Sequence, residues 1–358
     1  MPLLSVSDMK IAHIMWGFTW GGAETMLLDI MREQCRLARV HLIVVNDKVD
    51  HTLLEKVGEG IEIHLIRRRP GSWNPVSLLI LNAIILLYKF DAIHCHNETL
   101  IKAIFVNRGK VSLTIHDVGL SVRELQSYRK LFAISEAVQR DVSERSGLSP
   151  QVIYNGIECR RIRPRQYVPL NSGEVFRLVQ VSRLQHEKKG QHVVLEALSI
   201  LNRSHGIKHV QIDFIGEGTS LAYLSALTRD LGLSDQVRFV GLMERDEIFN
   251  KLSRYHALVQ PSLYEGFGNT VLEGMAARIP VLVSGIQGPM EIIGSGRYGL
   301  YFKEGDPRDC AEKIRTLIAQ YDSAPVREMV DRAWNRVAQD FDIRVTAKRY
   351  CDGYSLGK

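Results

Sequence analysis

The chain has 358 residues, 45% hydrophobic and 24% charged, with 46 basic against 40 acidic side chains and a formal net charge of +6. That length and apolar share exclude a disordered chain and exceed the usual single domain, so two α/β domains are expected. Five scattered cysteines (Cys35, Cys95, Cys159, Cys310, Cys351) without a Cys-x-x-Cys pair exclude a disulfide framework and a cysteine zinc site; the mild basicity suits an anionic substrate or membrane surface, with no nucleic-acid motif beside it.

Met1-Pro2-Leu3-Leu4 leads through polar residues straight into a strand, without the basic and long apolar regions of a signal peptide, so a cytoplasmic location is expected. Strand-like runs at 11–15, 40–45, 61–66, 92–95, 111–115, 131–134 and 152–154 alternate with helical patterns, the first from about Ala23. Arg67-Arg68-Arg69 and Trp73 precede an apolar helix over 76–88, too short to span a bilayer and carrying Asn82 at its centre. It reads first as a buried packing helix; the functional alternative is a peripheral patch for an anionic membrane, assisted by the arginines and Trp73.

The alternation breaks in the arginine- and proline-rich stretch 160–173, read as a linker, and restarts at 176–181, 210–216, 237–240, 256–260 and 279–284. From about Val326 to Tyr354 the pattern is helical and returns across the linker. The expected fold is α/β: two Rossmann-like, doubly wound parallel sheets facing a cleft, over 1–170 and 171–338, with a helical segment at 339–358 crossing back. In such sheets ligands meet the carboxyl ends of strands, and the motifs at those ends carry the chemistry.

Gly21-Gly22-Ala23-Glu24 opens a helix after the first strand, where glycine lets a ligand approach the backbone N–H groups; a plain structural turn is equally open. His94, His96 and Asn97 end one strand and His116-Asp117 another. His94 reads as a satisfied core histidine, while His116 is placed to donate to a sugar hydroxyl or a phosphate oxygen; no spacing supplies a metal. In the second half, Arg183 can fork onto a diphosphate, and Lys189, beside Gly190, or Lys188 can place a point charge on it. Gly216-Glu217-Gly218 and Gly241 end further strands and contour the same edge. Glu265-Gly266-Phe267-Gly268 leads into a helix carrying Val271, Leu272, Met275 and Ala276 on one buried face, with Glu273 placed to accept from a diol.

Taken in order, Gly21-Gly22-Ala23-Glu24, His94-Cys95-His96-Asn97, Thr114-Ile115-His116-Asp117, Ile153-Tyr154-Asn155-Gly156-Ile157, Arg183 with Lys189-Gly190, and Glu265-Gly266-Phe267-Gly268 with Glu273 resemble the retaining GT-B glycosyltransferases of family 4 over nearly the whole chain. The resemblance implies a nucleoside diphosphate sugar donor, UDP- or GDP-linked, and no metal cofactor. Arg183 and Lys189 would hold its diphosphate, with Lys188 in reserve because one extra residue separates Arg183 from Lys-Gly. Glu273 would bind the ribose, Glu265 with Gly266, Phe267 and Gly268 the sugar and adjacent phosphate, and Gly22 and Gly216 would line the donor site. His116 would stand at the reaction centre.

Tyr154 stands where proline is common and Ser182 where glycine is common, changes that leave the phosphate reading intact. Bacterial relatives imply a hexose transferred to a glycan or lipid-linked acceptor in surface polysaccharide or lipopolysaccharide synthesis, at the inner face of the cytoplasmic membrane if the basic apolar patch binds lipid. Two other classes stay open: a nonhydrolysing nucleotide-sugar epimerase, which changes the sugar without an acceptor, and a non-catalytic nucleotide-sugar-binding scaffold, which binds without turnover.

Overall fold

The computed structural model describes residues 9–355 apart from Trp73 and Ser172; the N-terminal tetrapeptide and the aromatic residue assigned to a membrane patch lie outside the described residues. The chain divides into two compact units, the first running to Ile157 and resuming at Ile343, the second spanning Glu158–Asp342.

In unit 1 the strands are β1 (Lys10–Met15), β2 (Arg39–Asn46), β3 (Ile61–Arg68), β4 (Ala92–Cys95), β5 (Val111–Ile115), β6 (Lys130–Ala133) and β7 (Gln151–Val152). They pair all-parallel in the order β3-β2-β1-β4-β5-β6-β7. Runs such as Leu42-Ile43-Val44-Val45 are fully buried, as expected of a parallel sheet covered on both faces. Its helices are α1 (Gly22–Gln34), α2 (His51–Glu55), α3 (Pro75–Tyr88), α4 (Glu136–Ser146) and, numbered from the end of the chain, α13 (Ile343–Ser355).

Helix α13 closes this unit's core. Ile343 and Tyr350 pack with Met26, Ile30, Phe132 and Ile153. A Cβ on Gly353 would stand 2.9 Å from Phe132, and one on Gly156 2.8 Å from the Ile343 backbone. The Thr346 hydroxyl donates to the Tyr154 carbonyl at 2.9 Å, so the Asn-Gly segment docks this helix.

Two expectations change here. The strand expected over 152–154 is the two-residue β7, because the Tyr154 carbonyl turns to Thr346 instead of continuing the ladder. Nor is α3 a buried packing helix: Leu81, Asn82 and Ile85 face inward while Val76, Leu79, Ile80, Leu86 and Leu87 are 44–76% exposed. Asn82 explains which side is in. Its amide donates to the Leu78 and Ala103 carbonyls and accepts from Phe105 N–H and Val106 N–H, stapling a neighbouring loop to that face. No described helix is long and apolar enough to cross a membrane.

Unit 2 holds β8 (Phe176–Val181), β9 (Val210–Ile215), β10 (Val237–Gly241), β11 (Ala257–Gln260), β12 (Val281–Ser284) and β13 (Leu300–Phe302), parallel in the order β10-β9-β8-β11-β12-β13. Helices α5 (His186–Lys189), α6 (Gln191–His205), α7 (Leu221–Asp230), α8 (Arg245–Lys251), α9 (Asn269–Ala276), α10 (Gln287–Ile292), α11 (Pro307–Gln320) and α12 (Ala324–Asp340) cover it. One core runs from Phe176 and Leu178 through Leu198, Phe214 and Val259 to Ile314 and Leu317. Sequence reading missed β13, and it started β12 two residues early: Pro280 has no N–H to give a ladder, and pairing begins at Val281.

Both sheets reverse their strand order next to the first strand, between β1 and β4 in one and between β8 and β11 in the other. The loops leaving those strands are where a doubly wound sheet receives a ligand.

Candidate functional site

In unit 2, the loop after β8 and the loop after β11 touch at one point. Gly190 adopts φ +65, and a Cβ there would fall 1.9 Å from the Pro261 carbonyl oxygen, so only glycine lets the two loops meet. Leu263 N–H and Tyr264 N–H then donate to the Lys188 carbonyl at 3.0 and 3.3 Å. This contact phases the single turn α5. Lys189 projects onto Glu265, Nζ to Oε2 2.5 Å, with each side chain less than a fifth exposed. Lys188 lies instead over the Tyr264 ring, 4.7 Å from its centroid.

Arg183 is exposed on the same loop, one strand-end away. The loop from Ser182 to Lys189 is held from beneath by two buried glutamines that sequence reasoning did not single out. Gln180 donates to Ser182 Oγ and to the Lys189 carbonyl at 3.1 and 2.9 Å, and Gln191 donates to Ser182 Oγ and the Arg183 carbonyl at 3.1 and 2.8 Å. Ser182, where glycine is the commoner residue, is thus the shared acceptor that ties both ends of the loop. A polar residue inside a buried strand was the available signal for Gln180.

Around Glu265 the sequence again left partners unread. Ser262 Oγ stands 3.4 Å from Glu265 Oε2, receives Gln260 Nε2 at 2.8 Å, and Thr270 Oγ1 donates to Gln260 Oε1 at 3.2 Å. Gly266, Phe267 and Gly268 are buried; Gly268 adopts φ +114, and the Phe267 ring lies 5.9 Å from Phe341. Gly288 brings the start of α10 against this segment, since a Cβ there would lie 2.7 Å from the Glu265 carbonyl oxygen. Glu273 sits in the second turn of α9, only 9% exposed, and 271–277 are buried all round rather than along one face.

Gly216 has a structural duty: a Cβ on it would lie 2.2 Å from the Ser182 carbonyl oxygen, and one on Gly218 2.3 Å from that of Leu184. The β8 loop can lie flat across these glycines. What the unit assembles is a cation held by a carboxylate at the switch point, over buried amides and beside glycine-rich backbone at the start of α9, a set able to trade that carboxylate for a phosphate and offer it to hydroxyls.

In unit 1 the corresponding loops line a cavity of about 210 Å³, whose walls include Ala23, Glu24, His96, Asn97, His116 and Asp117. Gly22 opens α1 beside it, with nothing within 4 Å of where its Cβ would be. Asn97 Oδ1 accepts Trp16 N–H at 3.1 Å and fixes the loop after β1.

From His116 a line of rings leads inward. His116 Nε2 is 3.2 Å from His96 Nδ1, His96 Nε2 is 3.0 Å from His13 Nδ1, and His13 Nε2 is 2.7 Å from Gln34 Oε1. His94 forms a side branch, bonded to Thr114 Oγ1 at 2.7 Å and to the Tyr354 hydroxyl, and is the satisfied core histidine that its strand position suggests. Burial pushes His13 and His116 down to about 4, and burial with neighbouring rings pushes His94 and His96 well below the ordinary histidine range.

The nitrogens of His13, His94 and His96 lie within 4.8 Å of one another, but each ring nitrogen of the three already has a hydrogen-bond partner, so the group reads as a polar network rather than a metal centre. A second group, His41, Glu62 and His64, lies in the amino-terminal halves of β2 and β3, away from the carboxyl ends of the strands, and its carboxylate is shared with the Tyr88 hydroxyl.

Residues 20–161 match the family model described as Glycosyltransferase Family 4, and residues 167–333 that described as Glycosyl transferases group 1. The glycogen synthase of Mycobacterium tuberculosis is 31% identical over 259 residues, 70% of this chain and 59% of that protein. A 2-deoxystreptamine glucosyltransferase of Streptomyces kanamyceticus is 25% identical over 190 residues, 53% of this chain and 47% of that one. The chain therefore spans about half to three fifths of the length of these two relatives. Among solved structures, Anabaena Alr3699/HepE in complex with UDP and glucose superposes with a TM-score of 0.79 at 22% identity, covering 98% of this chain and 100% of that one. A glycosyltransferase from Rickettsia africae gives 0.82 at 20%, covering 97% and 98%. Those two likenesses are of fold.

Proposed function

The chain belongs to the family-4, group 1 glycosyltransferases of GT-B fold, and from that premise we propose that it transfers a hexose-type residue from a UDP- or GDP-linked sugar to a hydroxyl of a glycan or lipid-linked acceptor, with retention and without a metal. The observation that carries the reading is the Lys189–Glu265 pair at the β8/β11 switch point. A part-buried lysine paired to a carboxylate is poised to pass to a diphosphate, and the freed carboxylate can then accept from sugar hydroxyls. Arg183 adds the bidentate donor, Glu273 takes the ribose, and the backbone of Gly266 to Gly268 meets the sugar and phosphate. Gly22 offers open backbone, and His116 serves the transferred sugar.

In the reaction the bond from the anomeric carbon to the diphosphate breaks while the acceptor oxygen bonds to that carbon on the same face. The acceptor proton passes to a phosphate oxygen of the departing diphosphate. Negative charge grows on that leaving group, so Arg183 and Lys189 stabilise the transition state more than the bound donor. UDP in the solved structure of similar fold supports a uridine donor. Unit 1 is assigned to the acceptor and unit 2 to the donor.

For the acceptor, the outward face of α3, with Arg67 and Arg69 exposed just before it, supports peripheral contact with an anionic membrane at the cytoplasmic face, as surface polysaccharide or lipopolysaccharide synthesis requires. Arg68 is spent internally, bonded to Asn46 and the Ser72 carbonyl.

The test is a product screen of purified protein with UDP-, GDP- and ADP-sugars, with and without a lipid-linked acceptor extract. Acceptor-dependent release of one nucleoside diphosphate is the expected result. Epimerised donor without acceptor, or tight binding with no turnover, would replace the transferase by an epimerase or a scaffold.

A further inference from the structure

At the edge of the unit 1 sheet, β2 and β3 bring three ligating side chains together. His41 stands opposite Glu62 in the parallel register, and His64 follows Glu62 by two residues, so all three project from one face. We propose that His41 Nδ1, His64 Nε2 and the Glu62 carboxylate bind a zinc ion, which clamps the outermost described strand of this sheet to its neighbour.

The distances carry the argument. His41 Nδ1 and His64 Nε2 are 3.2 Å apart, and the Glu62 carboxylate stands 3.4 Å from the first and 3.5 Å from the second. A proton shared between the two rings accounts for the shortest side of this triangle. It does not account for the other two, which exceed the roughly 2.7–3.2 Å of an N–H···O hydrogen bond. A four-coordinate zinc ion has bonds of about 2.0–2.1 Å to such ligands, which places the ligand atoms about 3.3–3.4 Å apart at the corners of a tetrahedron. Every side of the triangle lies within about 0.2 Å of that spacing.

The surroundings suit a ligand set. The Tyr88 hydroxyl donates to Glu62 and orients the carboxylate, the outer bond that a ligating carboxylate commonly has. The Tyr88 ring stands edge-on to His41 and His64 at 5.0 and 4.9 Å, and Phe90 edge-on to His41 at 4.9 Å, so aromatic rings wall the imidazoles. Burial lowers the pKa of both histidines, which keeps them in the neutral form that a metal binds. Lys10, the cation of this corner, is engaged by the Tyr88 carbonyl, 3.3 Å from its Nζ. The side chains of His41 and His64 are 6% and 12% exposed while that of Glu62 is 50% exposed, so water can supply the fourth ligand from the carboxylate side.

Two imidazoles and one carboxylate are donors that zinc takes, whereas magnesium and calcium ask for oxygens. Sequence spacing hides the set, because His41 comes from one strand and Glu62 and His64 from the next. Zinc here braces the sheet edge and, through Tyr88, the end of α3. The three ligands lie in the amino-terminal halves of their strands, so the sugar transfer proposed at the carboxyl ends stays metal-free.

The test is titration calorimetry of full-length protein, stripped with EDTA and dialysed, against zinc chloride alone at neutral pH. Saturable binding of one zinc per chain is expected in the wild type. His64→Ala should weaken it by at least about 100-fold, and Tyr88→Phe, which keeps all three ligands, by about tenfold. Zinc should raise the thermal midpoint of the wild type and leave that of His64→Ala where it was. A wild type that takes up no zinc, or zinc bound equally tightly by His64→Ala, overturns the proposal. Should His64→Ala fail to fold, Glu62→Gln takes its place with the same expected loss, at a half-exposed position. The titration needs neither donor nor acceptor, so a failed donor screen would sink the transferase reading without touching this one.

Discussion

Lowering the pH from 7.5 to 5.0 should loosen unit 1 long before its carboxylates are titrated. His13 is wholly buried with its pKa at about 4, against an ordinary value of 6.5. The sign follows from which state binds protons: between those two values the unfolded chain takes up a proton that the folded unit refuses. Stability is therefore complete above about pH 6.5, falls as the pH drops toward 4, and levels off below it. At pH 5.0 the unfolded histidine is almost fully protonated and the folded one almost fully neutral, which costs about 2 kcal/mol for His13. His116 is lowered to the same value but is only partly buried at the cavity wall, so it adds at most a similar amount, and the pair costs between about 2 and about 4 kcal/mol, a large part of a domain stability of about 5–15 kcal/mol. The assay is hydrogen exchange followed by mass spectrometry at both pH values, corrected for intrinsic rate, on peptides covering β1 and β5. Opening free energies there should fall by at least about 2 kcal/mol, with His94 and His96 acting in the same direction, and by less in unit 2, where His256 also sits at about 4. A loss below about 1 kcal/mol in β1 and β5 would mean that the rings are solvated and the buried network does not exist.

Lys189→Ala should lower kcat by about 100-fold with donor affinity changed far less, while Lys188→Ala stays near wild type; titration calorimetry with steady-state rates separates the two. Gly190→Ala places a methyl 1.9 Å from the Pro261 carbonyl oxygen at a positive φ, and should cost about 3 kcal/mol in unit 2, visible in thermal unfolding. Leu79→Glu with Leu87→Glu alters only exposed positions, and should abolish sedimentation with anionic vesicles while donor affinity stays unchanged; undiminished sedimentation would remove α3 from the membrane reading.

How much was legible depended on how local the cause was. Strands such as 40–45 could be read because a parallel strand buried on both faces is a continuous apolar run, and Gly190, Gly216, Gly241 and Gly268 because a positive φ is a property of one residue. β7 and β13, two and three residues long, leave no period to detect. The apolar run of α3 looks alike whether buried or exposed; which side faces inward is set by the bonds Asn82 makes to residues 103–106. Lys189 was preferred over Lys188 only for its place beside Gly190, because the directions of the two side chains are phased by the Gly190–Pro261 contact, far along the chain. His13 and Gln34 look like an interrupted strand and a helix end until the fold brings them 2.7 Å apart.

Because Tyr350, Tyr354 and Ile343 belong to unit 1, the order in which this protein is completed on the ribosome is the reverse of the order in which it is written. The first sheet emerges with the face made by Met26, Ile30, Phe132 and Ile153 uncovered. It waits while residues 158–342 are translated, about 10 to 40 s at cellular rates. The second unit is continuous in sequence and can close first. During that interval the nascent first half is a natural client for chaperones, and a nonsense codon at Ile343 would release a chain with one finished unit and one that never acquires its last helix.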